Sequence, residues 1–459
     1  MSKKFDFQYV VIGSGPAGVT VATTLAKAKK GVALVEDHFF GGSNLNTRDV
    51  PYAVALDFAH TYAKINSAPE FANQDFSVNL PSVISRELKA VINAGGNNKK
   101  LYEESAVVCL NGYANFLDAH TIAIKDKKIT SANFIIATGA HLNTGNISGV
   151  EATPFLTPET AIRVRRLPKV IAVIGAGSAG CEIASFYAEL GSKVILFESA
   201  NRILPREDTE VSTTTADYFA KQLGVNVLSN CKAVAIGQDA TSKYVVFRYG
   251  GTEKMVRTEE IAIATGSLPN TDCGLENAGV KYKETGILVN KLFETSAKHI
   301  HAIGDCIGGE SSTERAYQQG LTLATNIIKK AKNPINYCGI TRFINTPLQI
   351  ATVDLNEQDL LKQGRKYRKT ILPLNEITAG QVDGLKCGFV KLLTNKNNYI
   401  IGATIVAPHA GLLAEEIAIA TRHHHTAIEL ASTPHLINSY NQAIKLAARN
   451  IVSKKKSPR

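Results

Sequence analysis

Tyr9-Val10-Val11-Ile12-Gly13-Ser14-Gly15-Pro16-Ala17-Gly18 is the stretch on which the fold turns. Four apolar residues of the kind that fill a buried parallel strand run straight into Gly-x-Gly-x-x-Gly, and Val19–Lys29 reads on as a helix rich in Ala, Thr and Leu. Each glycine has its own task. The first permits the tight turn, the second lets backbone approach a pyrophosphate, and the third lets helix pack on strand. The next strand, Gly31–Val35, ends in Glu36, eighteen residues past Gly18, where a carboxylate can take a ribose hydroxyl pair. A glycine-rich turn alone could serve packing only. Strand before, helix after and acid at that distance together predict a dinucleotide site built on Gly13, Gly15, Pro16, Ala17, Gly18 and Glu36.

The same pattern recurs 162 residues further on. Lys169–Ile174 is a second buried strand, Gly175-Ala176-Gly177-Ser178-Ala179-Gly180 a second glycine turn, and a helix is expected from Cys181 to about Leu190. The strand Lys193–Phe197 then ends in Glu198, again eighteen residues past the third glycine. Two complete fingerprints predict two dinucleotide sites in one chain. Glu198 would repel a 2′-phosphate, which favours NAD(H) over NADP(H) at the second site, while Arg202 and Arg206 nearby work against that preference. Two strands end alike, in Ala137-Thr138-Gly139 and Ala264-Thr265-Gly266, and each closes a nucleotide-binding unit. Ile300–Asp305 is a strand ending in Gly-Asp, ahead of a Gly/Ser loop and a helix from about Glu314 to Lys330. An Asp there can fix a sugar-like polyol, and the helix N-terminus can stabilise negative charge on a ring system.

Composition bounds the rest. The 459 residues are 44% hydrophobic and 20% charged, too apolar for a disordered chain. Single cores stop growing at roughly 250–300 residues, so two to four domains are expected. The formal charge of +11 would suggest a polyanionic partner, but Lys3, Lys4, Lys454, Lys455, Lys456 and Arg459 lie in the tails, and no nucleic-acid partner is expected. Seven cysteines form no close pair, which argues against a secreted disulfide framework or a zinc cluster and for a reduced, cytoplasmic interior with no metal site. Phe7–Ala26 carries no charge, yet the glycine turn breaks it. It reads as strand, turn and helix, so no membrane association is expected.

With these motifs in place, the chain resembles the class I pyridine nucleotide-disulfide oxidoreductases: dihydrolipoamide dehydrogenase, glutathione reductase, mercuric reductase and the soluble transhydrogenase. Further matching elements are Gly112-Tyr113-Ala114, Gly266–Thr271, Thr346-Pro347, Gly388–Lys391 and Ile401-Gly402-Ala403. The resemblance implies an α/β fold with two Rossmann-like domains, binding FAD and NAD(P), and a C-terminal α+β dimerisation domain. Residues 1–148 and 270–332 would form the FAD-binding domain, 149–269 the NAD(P)-binding domain, and 333–459 the dimerisation domain of a homodimer with a basic tail. It adds Gly42, Ser43, Ala114, Thr138, Gly139 and Asp305 to the FAD side, and assigns Gly175, Gly177, Ser178, Gly180, Glu198 and Gly266 to the nicotinamide side.

The resemblance fails where the family does its thiol chemistry. Its motif, GGTCxNxGCxPxK, corresponds here to Gly41–Ala53, framed by Gly41, Gly42, Asn46, Val50 and Pro51. Asn44 and Asp49 then stand in the two cysteine positions, and neither side chain can form a disulfide or a thiolate. Ala53 replaces the lysine that in the family pairs with the glutamate matching Glu182. A buried Glu182 is therefore expected to hold its proton more tightly unless another partner stands in. The family's HPTxxE element falls on Ile437–Gln442, and isoleucine cannot move protons. A two-residue slip would bring His435 into the slot. His423-His424-His425 reads as solvent-facing rather than metal-binding, and Cys306 and Cys181 as small packing residues. Where the family has a gating aromatic residue there is Ser178. These substitutions point to an NAD(P)H oxidoreductase that hands electrons to a small non-disulfide acceptor, with Glu182, Asn44 and Asp49 as candidate catalytic residues. A catalytically silent flavoprotein is the alternative, and a dihydrolipoamide dehydrogenase-like enzyme a weaker one.

Overall fold

A computed structural model describes residues 5–71 and 77–453. The six tail cations lie outside the described residues. The chain forms two compact units: one from Met1–Ala55, Asn79–Asn143 and Gly266–Asn336, the other from Leu56–Val78, Thr144–Thr265 and Tyr337–Arg459.

In the first unit Phe7–Ile12 pairs in parallel with Val32–Glu36 on one side and Lys127–Ile136 on the other. Val108–Asn111 extends the sheet beyond Val32–Glu36, and Ile300–Ala302 pairs in parallel with the end of Lys127–Ile136. An antiparallel flap, Ala114–Asp118 and Thr121–Ile124, joins the start of that long strand. Side chains alternate across a strand, so Phe7–Ile12 feeds two cores at once. Tyr9 and Val11 pack with Val21 and Leu25 of the helix Pro16–Lys27, whereas Val10 and Ile12 pack with Phe116, Phe134 and Ile300. Burial on both faces is why Tyr9–Ile12 is uniformly apolar.

The second unit holds two sheet systems. Val170–Ile174 lies between Lys193–Phe197 and Glu260–Ile263 in a parallel sheet that Asn226–Leu228 completes. The C-terminal part is a five-stranded antiparallel sheet, in the order Thr341–Ile344, Gln349–Asp354, Ile400–Ala407, Phe389–Thr394 and Arg368–Pro373, whose core includes helices Ala410–Arg422 and Asn441–Ser453.

Both glycine-turn helices begin earlier than the sequence suggests, at Pro16 rather than Val19 and at Ser178 rather than Cys181. Pro16 fills the first helical position, where a missing N–H costs nothing. A 25-residue helix, Leu80–Glu104, capped by Asn79 on the Ser82 N–H at 3.1 Å, was not placed from sequence at all.

One charged cluster ties the parts of the second unit together. Lys391, with no exposed side-chain surface, sits 3.0 Å from Asp208, 2.9 Å from Glu210 and 2.5 Å from Glu357. Asp208 also accepts the N–H groups of Glu357 and Gln358 at the start of the helix Glu357–Lys362.

Candidate functional site

In the first unit Gly13 adopts φ +100°, and a Cβ there would lie 2.2 Å from the Ala137 carbonyl oxygen. A Cβ on Gly18 would meet the Gly13 oxygen at 1.9 Å, so both glycines are dictated by close packing. Gly15 is different: nothing lies within 4 Å of its missing Cβ, which leaves space for a ligand to come against the backbone. Pro16 and Ala17 open the helix behind it. Glu36 is buried at its strand end. Its Oε2 accepts the Ser14 N–H at 3.0 Å and hydroxyl at 2.7 Å, and its Oε1 accepts the His38 N–H at 3.0 Å. The Ser14 hydroxyl in turn accepts the Gly41 N–H at 2.9 Å. Gly42 packs on this turn, since a Cβ there would lie 2.7 Å from the Gly15 Cα, while Ser43 is exposed on the short helix Gly42–Asn46. Ala114 is buried opposite Ile124.

Thr138 and Gly139 are locked to Asn270, which lies in the family-matching stretch Gly266–Thr271. The Thr138 hydroxyl donates to the Asn270 carbonyl at 2.9 Å, Asn270 Nδ2 returns a bond to the Thr138 carbonyl at 2.7 Å, and the Asn270 N–H reaches the Gly139 carbonyl at 3.0 Å. The Gly266 carbonyl accepts the Asn143 N–H at 2.9 Å. Asp305 opens a turn just before the helix Thr313–Lys329. Burial pushes its carboxyl above the usual range; Ser311 and Arg315 oppose this, and the nearby Asp49 charge adds to it.

Asn44 and Asp49 come together, on different elements. Asn44 lies on the short helix, and Asp49 begins the long helix Asp49–Ser67. Asn44 Nδ2 donates to Asp49 Oδ2 at 2.5 Å and to the Thr313 hydroxyl at 3.2 Å, and that hydroxyl donates to the same Asp49 oxygen at 2.7 Å. Thr313, 264 residues along the chain from Asp49, was missed because only the fold brings it there. The result is a closed amide–carboxylate–hydroxyl triad, with no sulfur.

In the second unit Gly175 and Gly180 repeat the packing of Gly13 and Gly18, and Gly177 again has open space beside it. Ser178 is exposed at the first position of the helix Ser178–Glu189. Glu198 is buried. Its Oε2 accepts the Ala176 N–H at 2.9 Å, and its Oε1 accepts the Ala200 N–H at 2.8 Å and the Ser199 hydroxyl at 3.3 Å. Beside Gly175 a cavity of about 120 Å³ is lined by Phe197, Ser199, Cys231, Lys232 and Thr265 among others. Arg202 turns its guanidinium to the Pro205 and Glu207 carbonyls, at 3.2 and 3.1 Å, and to the Thr209 hydroxyl at 3.3 Å. Glu182, one helical turn past Ser178, is buried, and its Oε1 accepts the Asn345 backbone N–H at 2.9 Å. The stand-in partner for the absent lysine therefore includes a main-chain group, which no side-chain motif announces.

In the C-terminal element His435 has a partner for each ring nitrogen. Its Nδ1 faces the Thr433 carbonyl at 2.9 Å and its Nε2 faces Glu416 Oε1 at 2.6 Å, with only 5% of the side chain exposed. Both ring nitrogens are spent inside the chain. Ile437 is 66% exposed. His423, His424 and His425 are exposed in the turn after Ala410–Arg422. All seven cysteines are free. Burial holds the Cys181 thiol well above its usual range, and it raises Cys273 and Cys306 to about 12. Cys306 donates to the Ile303 carbonyl at 3.1 Å, as a packing residue would.

Comparison with known proteins bears on this geometry. The family model "Pyridine nucleotide-disulphide oxidoreductase" matches residues 7–320, and its dimerisation domain matches residues 340–448. The mercuric reductase of Staphylococcus aureus is 28% identical over 452 residues, covering 96% of this chain and 82% of that protein. The dihydrolipoyl dehydrogenase of Mycoplasma pneumoniae is 28% identical over 442 residues, covering 94% and 95%. Among solved structures, LpdA from Mycobacterium tuberculosis superimposes with a TM-score of 0.87 at 24% identity, covering 96% of this chain and 99% of that one. The flavoprotein disulfide reductase RclA from Escherichia coli superimposes with a TM-score of 0.85 at 23% identity, covering 96% and 99%.

The chain belongs to the class I pyridine nucleotide-disulfide oxidoreductase family. Members bind FAD and a nicotinamide dinucleotide, and the chain is an FAD-dependent pyridine nucleotide oxidoreductase at that level. The open space beside Gly15 and Gly177 and the two fixed carboxylates fit both groups. Among the described residues no helix is long and apolar enough to cross a membrane.

Proposed function

We propose that this protein is a cytoplasmic homodimeric NADH oxidoreductase that delivers electrons to a small non-disulfide acceptor: a quinone, dioxygen, a dye or a second pyridine nucleotide. FAD, when bound, supplies the hydride-accepting and electron-releasing chemistry. Glu36 would hold the adenosine ribose of FAD, with Gly15 admitting the pyrophosphate and Asp305 the polyol chain. Glu198 and Gly177 would do the same for NADH. Residues 1–148 with 270–332, 149–269 and 333–459 are assigned to FAD binding, NADH binding and dimerisation.

The observation that carries the reading is the Asn44–Asp49–Thr313 triad. The three groups bonded together there are an amide, a carboxylate and a hydroxyl, so they can polarise or hydrogen-bond an acceptor but cannot exchange a disulfide. NADH is favoured because the Glu198 carboxylate is pinned by three donors and Arg202 is committed to neighbouring carbonyls.

Anaerobic stopped-flow mixing of the flavin-loaded protein with NADH tests the proposal. Rapid bleaching of the flavin is expected, slower with NADPH by at least tenfold, followed by reoxidation with menadione or air and no turnover with dihydrolipoamide. A flavin that stays oxidised would make the protein a silent binder, and dihydrolipoamide turnover would overturn the assignment of Asn44 and Asp49.

A further inference from the structure

Glu182 lies four residues after Ser178, on the same face of the helix that rises from the second glycine turn. It is 9% exposed. A carboxylate taken that far from water is driven towards its neutral form unless donors reach it. One donor is the backbone N–H of Asn345, at 2.9 Å from Oε1. Asn345 belongs to the loop between Thr341–Ile344 and Gln349–Asp354, two strands of the C-terminal sheet, inside the stretch matched by the dimerisation domain.

This donor is held in place. Gln349 Nε2 donates to the Asn345 side-chain oxygen at 3.1 Å, and the buried Thr346 hydroxyl donates to the Leu348 carbonyl at 2.8 Å. The strands flanking the loop also grip the dinucleotide-binding part elsewhere. Glu207 accepts the Thr352 hydroxyl at 2.7 Å and lies 3.5 Å from the Arg342 guanidinium. One edge of the C-terminal sheet therefore anchors both the helix that carries Glu182 and the segment leading to the next helix, Thr209–Gln222. A main-chain donor differs from a lysine in two ways. It adds no charge, and it has no side-chain freedom to swing away.

We infer that Asn345 is a positioning residue: through its N–H, the dimerisation sheet holds the Glu182 carboxyl oriented at the nicotinamide dinucleotide site. What Glu182 does there rests on the oxidoreductase reading; the contact does not.

Two substitutions separate donor from side chain. Asn345→Pro removes the N–H, and Asn345→Ala keeps it. Two readouts apply: the NAD⁺ dissociation constant of the oxidised protein by calorimetry, and the pH profile of flavin bleaching by NADH. Asn345→Pro is expected to weaken NAD⁺ roughly 5–10-fold, about the worth of one ordinary hydrogen bond, and to move the acid limb of the profile up by about one unit. Asn345→Ala should bind NAD⁺ at least threefold more tightly than Asn345→Pro. NAD⁺ affinity and acid limb both within twofold of the parent in Asn345→Pro would overturn the inference. Hydrogen exchange of the segment 343–348 gives a test that does not need Asn345→Pro to fold. Glu182→Ala should speed exchange of the Asn345 amide at least tenfold, whereas Glu182→Gln, which keeps an acceptor oxygen, should retain protection. Unchanged exchange in Glu182→Ala would again overturn it. If NADH leaves the flavin of the parent protein oxidised, the oxidoreductase reading fails, while calorimetry and exchange still decide the role of Asn345.

Discussion

Replacing Lys391 by methionine should destabilise the protein by about 3–5 kcal/mol, the usual result of leaving a buried ion without its partner. The side chain has no exposed surface and three carboxylates converge on it, at 3.0, 2.9 and 2.5 Å. Burial alone would lower the Lys391 pKa, but Glu357, Asp208 and Glu210 together raise it above its ordinary value. A second route gives a similar magnitude. Burial would push Glu357 up, yet Lys369, Lys391 and Tyr367 bring it down from 4.5 to about 2. That fall corresponds to about 3 kcal/mol of stabilisation, and it overlaps with the first figure rather than adding to it. A depressed carboxylate stabilises the fold fully above its unfolded pKa, and the contribution drains away as pH falls from 4.5 towards 2. Urea unfolding followed by far-ultraviolet circular dichroism suits a chain with no tryptophan. At neutral pH Lys391→Met should lose the stated amount, and its stability should fall less steeply than the parent's between pH 4.5 and 2. Lys369 at 2.8 Å and Tyr367 at 2.5 Å remain on Glu357, so the slope should shrink without vanishing. Adding Asp208→Asn should restore part of the loss by removing the buried charge that Lys391 had balanced. A loss below 1 kcal/mol with an unchanged acid slope would refute the reasoning.

Three other outcomes are expected. Gly177→Val should fold, because nothing lies within 4 Å of the added carbon, and it should keep its flavin while losing bleaching by NADH; Gly15→Val should lose the flavin instead. Alkylation of the native protein with iodoacetamide should modify Cys109 first, because it is the exposed cysteine, and leave NADH-driven bleaching unchanged, since no cysteine belongs to the triad. His435→Phe should cost about 1 kcal/mol by removing one of the hydrogen bonds to Glu416, which keeps the Asn441 amide at 2.8 Å, and the pH profile of bleaching should not move, because both imidazole nitrogens are already engaged.

Much of the site was legible because it is local in sequence. Gly13 to Glu36 and Gly175 to Glu198 are each one strand–turn–helix–strand unit. The spacing that places each acid opposite its own glycine turn is set by helix length and strand rise, which residue pattern reports directly. Other features left no such trace. The pairing of Asn270, itself within a recognised motif, with Thr138 132 residues away is one; Thr313 closes the triad with Asn44 and Asp49, and Asn345 meets Glu182 through its main chain. A backbone donor has no residue signature at all. His435 likewise meets a partner that no motif announces, Glu416, nineteen residues back on the helix Ala410–Arg422.

The chain's own order of residues thus determined that there are two dinucleotide turns, an acid for each, and no sulfur at the redox positions, because these depend on neighbours along the backbone and on side-chain chemistry alone. Tertiary structure decided what those residues do to one another. Asn44 and Asp49 became a hydrogen-bonded pair with Thr313, Glu182 gained a main-chain donor, Arg202 was withdrawn to nearby carbonyls, and His435 was set against Glu416. Each of these depends on which polar groups burial brings within 3 Å or so, a distance that sequence separation does not encode.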